Sequence, residues 1–211
     1  PYMRGRISKA RSYAAGVEVG QTMVGGTVSV VETSRDRKYQ SGDIVLSYSG
    51  WQEYELSNGQ GLHKLDPVHG PKPISTALGV MGMPGLTDYV GLLDIGQPQS
   101  GETVVVSSAA GAVGSVVGQI ARLHDCKTVG IAGTAEKCRY TAEEFGFQTC
   151  LNYNDKDFDS QLKDACPKGV DIYFENVGGK VFDAAYNLMN DGGRIPVCGM
   201  ISRYNDTRLP D

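Results

Sequence analysis

Directly after the Val-Val-Val run at 104–106, residues 109–118 read Ala-Ala-Gly-Ala-Val-Gly-Ser-Val-Val-Gly. Glycines at 111, 114 and 118 are what a strand-to-helix turn needs when it must wrap an anion. Gly111 makes the turn, Gly114 lets the backbone approach a pyrophosphate, and Gly118 permits close packing of the helix on the strand. The helix start then turns its N–H groups toward phosphate oxygens. A plain tight turn would use the same glycines. What favours a dinucleotide is position: the turn sits between an apolar strand and a helix, inside a repeating strand–helix pattern.

Which dinucleotide is read at the end of the next strand. A site for NAD places Asp or Glu there to hold the ribose 2′-hydroxyl, but Ile131-Ala132-Gly133-Thr134 offers no carboxylate. Glu136 lies too far into the following helix to serve. Lys137, in the first turn of that helix, can bring an ammonium to a 2′-phosphate, and Tyr153, at the end of the third strand, can add a hydroxyl. The pattern favours NADP; a solvated helix lysine and a packing tyrosine would look the same in sequence.

These residues need a scaffold, and the periodicity supplies one. From residue 102 onward, apolar strand runs at 103–107, 127–132, 149–153, 171–176 and 194–198 alternate with amphipathic helices near 113–124, 135–145, 157–166 and 180–189. Five strands with four crossovers specify an α/β fold with a doubly wound parallel sheet. Before it the runs are β-type, at 22–31, 43–48 and 51–56, separated by Gly, Asp and Ser. Short helices are expected at 75–80 and 85–93, interrupted by Met83-Pro84-Gly85. The expected organisation is an incomplete β domain over residues 1–76 and a Rossmann domain over 77–211. Both termini look cut, so the chain reads as a fragment.

Composition narrows the partners. The 211 residues are 40% hydrophobic, enough for a sizeable core, and the net charge of −4 is spread without a basic face, which argues against nucleic acid or an anionic membrane. Residues 103–121 carry no charge, yet Ser107, Ser108, Gly111, Gly114, Ser115, Gly118 and Gln119 break the stretch, so it does not read as a membrane span. Five widely spaced cysteines without a CxxC pair fit reduced thiols in a cytoplasm. His63, His69 and His124 have no Cys or Glu at ligand spacing and read as surface residues rather than metal ligands.

Several segments together carry a resemblance: Pro1-Tyr2-Met3-Arg4, Gly82-Met83-Pro84-Gly85-Leu86-Thr87, the Ala-Ala-Gly-Ala-Val-Gly loop, Phe174-Glu175-Asn176-Val177-Gly178-Gly179, and Cys198-Gly199-Met200-Ile201-Ser202-Arg203-Tyr204-Asn205. Over essentially its whole length the chain resembles the zinc-free medium-chain dehydrogenases/reductases, the group of prostaglandin, 2-alkenal and curcumin reductases. The resemblance implies a GroES-like catalytic domain beside the Rossmann domain, and reduction of the carbon–carbon double bond of enones or enals with NADPH. It implies a homodimer.

Carried over residue by residue, the resemblance places Gly111, Ala112, Val113 and Gly114 at the pyrophosphate, Lys137 and Tyr153 at the ribose phosphate, and Asn176 near the cofactor ribose. Cys198, Gly199, Met200, Ile201, Ser202 and Tyr204 would line the nicotinamide half, with Met83 and Thr87 facing it. Tyr2 and Tyr204 would bound the substrate pocket, Tyr204 being the candidate donor to the substrate carbonyl. The chain departs from the group at Asp88, where Ala is frequent, and at Ser107-Ser108, where Ala or Asn is common. A quinone reductase of the same superfamily and a non-catalytic NADPH-binding protein remain as alternatives.

Overall fold

The computed structural model describes residues 3–8, 14–68, 70 and 73–206, and the chain divides into two compact units, Pro1–Met83 and Pro84–Asp211. In the first, a helical turn α1 (Met3–Arg6) precedes strands β1 (Thr27–Val30), β2 (Ile44–Ser47) and β3 (His63–Leu65), joined antiparallel in the order β1-β2-β3. The register pairs Thr27 with Ser47 and Ile44 with Leu65, and Lys64 on β3 is ion-paired to Asp43 at 2.7 Å. The strand expected over 51–56 does not form. Gly50, at φ +112, turns the chain; the Trp51 N–H goes to the Met23 carbonyl at 2.8 Å, and the Glu55 carboxyl takes the Ser47 hydroxyl at 3.1 Å. The third strand comes instead from His63–Leu65, which had no β-type signature. A 3₁₀ turn, Ile74–Leu78, closes this unit.

Helix α2 (Met83–Tyr89) widens into a π-helical stretch, Val90–Gly96, ended by Gln97 in the left-handed region. The expected alternation follows: β4 (Thr103–Ser107), α3 (Gly114–Leu123), β5 (Lys127–Ala132), α4 (Ala135–Phe145), β6 (Thr149–Asn152), α5 (Phe158–Ala165), β7 (Val170–Phe174), α6 (Gly179–Tyr186) and β8 (Met189–Arg194). The five strands are parallel in the order β6-β5-β4-β7-β8. β4 is buried along its whole length, as a central strand covered on both faces must be. Val104 and Val106 point into one layer with Val117, Ala121 and Phe174, whereas Val105 points into the other with Phe158, Leu162 and Val181. The period-2 alternation of a strand thus divides one valine run between two cores.

The fifth strand is corrected. Residues 194–198 were expected to form it, but the strand is Met189–Arg194, and its register against β7 jumps from Val170–Met189 to Ile172–Arg194. The excursion contains Asp191-Gly192-Gly193, with Gly192 at φ +77, a conformation that glycine adopts at no steric cost. Past it the chain stays beside β7: the Glu175 N–H donates to the Pro196 carbonyl at 2.9 Å and the Cys198 N–H to the Glu175 carbonyl at 2.9 Å, with Val197 bridging Glu175. The apolar run 194–198 is therefore the far end of a bulged strand, not the strand itself.

Candidate functional site

Winding reverses between β4 and β7. The chain runs β4, β5, β6 toward one edge and then returns to place β7 and β8 on the other side of β4, which opens a crevice at the carboxyl ends of β4 and β7. The glycine turn leaves β4 at this point. Ser108 adopts φ +53, the Ala109 N–H reaches across to the Ile131 carbonyl at 3.0 Å, and the Gly111 N–H returns to the Ser108 carbonyl at 2.8 Å. A Cβ at Gly114 would press on the Ser108 carbonyl and come within 2.9 Å of the Ala109 Cα, so only glycine fits. At Gly118 a Cβ would enter the Phe147 ring. Close packing is thus required as expected, but the partner is a phenylalanine arriving from the α4–β6 connection. No side chain caps α3 at Val113. The Gly111, Ser115 and Val116 N–H groups are taken by the Ser108, Gly111 and Val113 carbonyls, which leaves the Ala112, Val113 and Gly114 N–H groups at the start of the helix as a donor set that suits a pyrophosphate.

The end of β5 is built differently. Thr134 caps α4, accepting the Lys137 N–H on its hydroxyl at 3.2 Å. Tyr153 continues β6, its N–H bonded to the Ala132 carbonyl at 3.1 Å, and the Asn154 amide donates to the Gly133 carbonyl at 2.9 Å. These bonds lay the Tyr153 ring over Gly133, where a Cβ would lie 3.1 Å from the phenol oxygen and 3.3 Å from the ring. The site that would carry a ribose-binding carboxylate in an NAD enzyme is roofed by a tyrosine. Lys137 is exposed on the first turn of α4.

Across the crevice, Asn176 leaves β7 tied to β4: its N–H donates to the Ser107 hydroxyl at 2.7 Å and its side-chain amide to the Ser107 carbonyl at 2.8 Å. Beside it lies the fully buried Glu175. One of its carboxyl oxygens accepts from the Ser107 hydroxyl at 3.0 Å, from the Gly178 N–H at 2.9 Å and from the Val177 N–H; the other accepts from the Tyr173 hydroxyl at 2.7 Å. The phenol of Tyr173 is pushed up by burial first, with Glu175 adding to it. Sequence reading had not singled out Glu175 as a structural hub. Its signal was a charged residue in an otherwise apolar strand end.

The segment after β8 hangs on the same point, since the Glu175 carbonyl also accepts the Gly199 N–H at 3.1 Å. The Ile201 and Ser202 N–H groups go to the Asn176 and Val177 carbonyls, and Ile201–Arg203 form a 3₁₀ turn. Tyr204 follows that turn, 37% exposed, with its hydroxyl folded back to accept the Met200 N–H at 3.4 Å. Cys198 is exposed as a whole residue while its sulfur is partly withdrawn from water, and that desolvation, with the Asp88 carboxyl adding to it, raises the thiol above its ordinary range. Asp88 itself lies in α2 next to Thr87, wholly buried, and neither of its carboxyl oxygens has a hydrogen-bond partner. Burial alone pushes its pKa up to about 8.

Within the Pro84–Asp211 unit the structure therefore gathers Gly111, Ala112, Val113, Gly114, Asn176 and the Cys198–Tyr204 segment at the carboxyl end of the sheet, with Lys137 and Tyr153 at the end of β5. Met83 opens α2 and is exposed, and Thr87 lies one turn along it. Tyr2 and His69 lie outside the described residues. Among the described residues no group of three His, Cys, Asp or Glu side chains is placed to hold a metal ion, and no helix is long and apolar enough to cross a membrane.

Residues 112–210 match the zinc-binding dehydrogenase family and residues 1–65 the N-terminal domain of oxidoreductase. The chain is similar to the NADPH-dependent curcumin reductase of Escherichia coli (strain K12), 59% identical over 210 residues, a match that takes in 100% of this chain and 60% of the relative. Mouse prostaglandin reductase 1 is 47% identical, over 98% of this chain and 61% of its own. The crystal structure of CurA in complex with NADPH from Vibrio vulnificus superposes with a TM-score of 0.92 at 53% identity, covering 100% of this chain and 62% of that one. The chain thus spans about three fifths of the length of the relatives it matches.

Proposed function

Because the chain belongs to the zinc-free medium-chain dehydrogenases/reductases, we propose that this protein reduces the carbon–carbon double bond of α,β-unsaturated carbonyl compounds, enals and enones with curcumin-like compounds among them, using NADPH. The observation that carries the cofactor choice is the end of β5, where residues 131–134 hold no carboxylate for a ribose hydroxyl and Gly133 lies under the Tyr153 ring. The names of the similar proteins, an NADPH-dependent curcumin reductase and a prostaglandin reductase, support the same substrate class.

When bound, the reduced nicotinamide supplies a hydride for the substrate β-carbon. The residues of the chain hold and orient. The Gly111–Gly114 loop takes the pyrophosphate through the Ala112, Val113 and Gly114 N–H groups, Lys137 and Tyr153 take the 2′-phosphate, and Asn176 the ribose, while Thr87 and the Cys198–Tyr204 segment bound the nicotinamide half. As the β-carbon is reduced, negative charge gathers on the carbonyl oxygen and a donor must meet it. Tyr204 suits that role because its hydroxyl accepts the Met200 N–H and keeps its own proton to give. A preorganised donor of this kind stabilises the transition state by on the order of 3 kcal/mol. In this reading residues 1–76 belong to the catalytic domain and 77–211 to the Rossmann domain, and the protein is a homodimer whose mass light scattering would read.

The test is turnover of NADPH and NADH against a panel of enals, enones, a curcuminoid and quinones. Saturation of the carbon–carbon bond with NADPH, and much weaker turnover with NADH, is the expected result. Faster oxidation by quinones than by any enone would make the protein a quinone reductase. Bound NADPH that no acceptor oxidises would leave a binding protein.

A further inference from the structure

Lys180 was not among the residues that the sequence pointed to, and it lies 27 positions after Tyr153 on another element. Its ammonium nevertheless sits over the Tyr153 ring, 5.1 Å from the centroid. That ring is the roof over Gly133, so Lys180 reaches from α6 to the end of β5. Two features fix where it starts. Gly178 and Gly179, at φ +76 and +58, swing the chain from β7 into α6, and the buried Glu175 carboxyl locks this turn by accepting the Val177 and Gly178 N–H groups. Lys180 is the second residue of the helix that begins there. Among the described residues no carboxylate is ion-paired with Lys180 or with Lys137.

We propose that Lys180 is a specificity-determining residue for the cofactor: with Lys137 approaching from α4 and Lys180 from α6, it forms a two-lysine clamp on the phosphate carried by the ribose 2′-oxygen. This rests on the NADPH reading given above. The cation–π contact is the resting position of Lys180. It holds a long, otherwise mobile side chain within reach of the Tyr153 hydroxyl at low entropic cost, and the dianionic phosphate draws the ammonium off the ring face. A lysine suits the task because its three donors turn freely on a point charge.

The probes are adenosine 2′,5′-bisphosphate and AMP, which differ by that one phosphate, titrated calorimetrically into the protein without nicotinamide chemistry. Lys180→Met should weaken the bisphosphate about tenfold, as loss of a charge-assisted hydrogen bond does, and leave AMP unchanged; Lys180→Arg should restore most of the loss. Lys180 is exposed, so the melting temperature serves as the control for folding. Bisphosphate affinity unchanged in Lys180→Met, or an equal loss for AMP, would overturn the clamp while leaving the NADPH reading intact. A wild-type protein that binds the two probes equally would instead overturn the NADPH reading itself.

Discussion

Among the described residues of the Pro84–Asp211 unit two carboxyl groups lie wholly buried, Glu175 at the end of β7 and Asp88 in α2, and they are built in opposite ways. Glu175 accepts from two hydroxyls and two backbone N–H groups, contributed by β4, β7 and the turn into α6. Asp88 has no partner for either oxygen. Equal exclusion from water therefore has opposite meanings. At Glu175 the buried acceptor organises the crevice, joining β4 to β7 and setting the start of α6. At Asp88 burial is an uncompensated cost, which the residue reduces by holding its proton up to about pH 8. Burial by itself says little about a polar side chain until its donors are counted.

The contrast can be broken most directly at Asp88. Its folded-state pKa of about 8 stands above the ordinary 3.8, so between these values the folded chain keeps a proton that the unfolded chain has lost. Its contribution is complete below about pH 4 and falls away as pH rises through 8. Each unit of separation corresponds to about 1.4 kcal/mol. Asp88→Asn should therefore gain on the wild type by on the order of 4 kcal/mol between pH 4 and pH 8, read from urea unfolding at both pH values. Parallel stability curves for the two proteins would mean that Asp88 is ionised or solvated in the native state.

Removal of the Glu175 carboxyl should cost stability where removal of the Asp88 carboxyl gains it. Glu175→Ala strands the Tyr173 hydroxyl and two N–H groups, while the Ser107 hydroxyl keeps the Phe174 carbonyl at 3.2 Å; since each buried donor left without an acceptor costs about 1–3 kcal/mol, the variant should lose about 3 kcal/mol or more. A loss under about 1 kcal/mol would show that water replaces the carboxyl and that Glu175 is no hub. The next effect concerns the segment hung on the Glu175 carbonyl. Tyr204→Phe should lower kcat by about a hundredfold, near 2.7 kcal/mol, with NADPH affinity unchanged, because its bond to the carbonyl oxygen strengthens only as charge develops. Unchanged kcat would remove Tyr204 from the chemistry and leave it a packing residue. The smallest effect is expected at Ser107→Ala, about 1 kcal/mol of stability, since Asn176 loses an N–H acceptor but keeps its side-chain bond to the Ser107 carbonyl. No measurable change would confine the organising role to the Glu175 carboxyl alone.

How much of this was legible beforehand differs by element. The strands at 103–107 and 127–132 and the helix at 135–145 coincide with β4, β5 and α4, because their apolar period and turn residues are local. The fifth strand was displaced because Asp191-Gly192-Gly193 reads as a loop, while the register it interrupts belongs to the pairing with β7. The run 51–56 has β-type residues but pairs with no strand among the described residues, whereas His63–Leu65 lacks the composition and pairs with β2. Strand formation is a property of two segments, and composition describes only one.

The same division holds at the candidate site. The sequence alone determined the glycine turn, the crossover pattern and the missing carboxylate at 131–134, since each depends on backbone sterics or on the identity of a few consecutive residues. Only the tertiary structure decided that Phe147 is what demands Gly118, that Tyr153 roofs Gly133, that Lys180 reaches the end of β5, and that Glu175 is satisfied while Asp88 is not. The first three facts join residues 20 to 29 positions apart and the Ser107–Glu175 bond spans 68, roughly the separations that βα crossovers place between neighbouring strand ends, and these side chains meet only once packing of two cores has set the strand order β6-β5-β4-β7-β8.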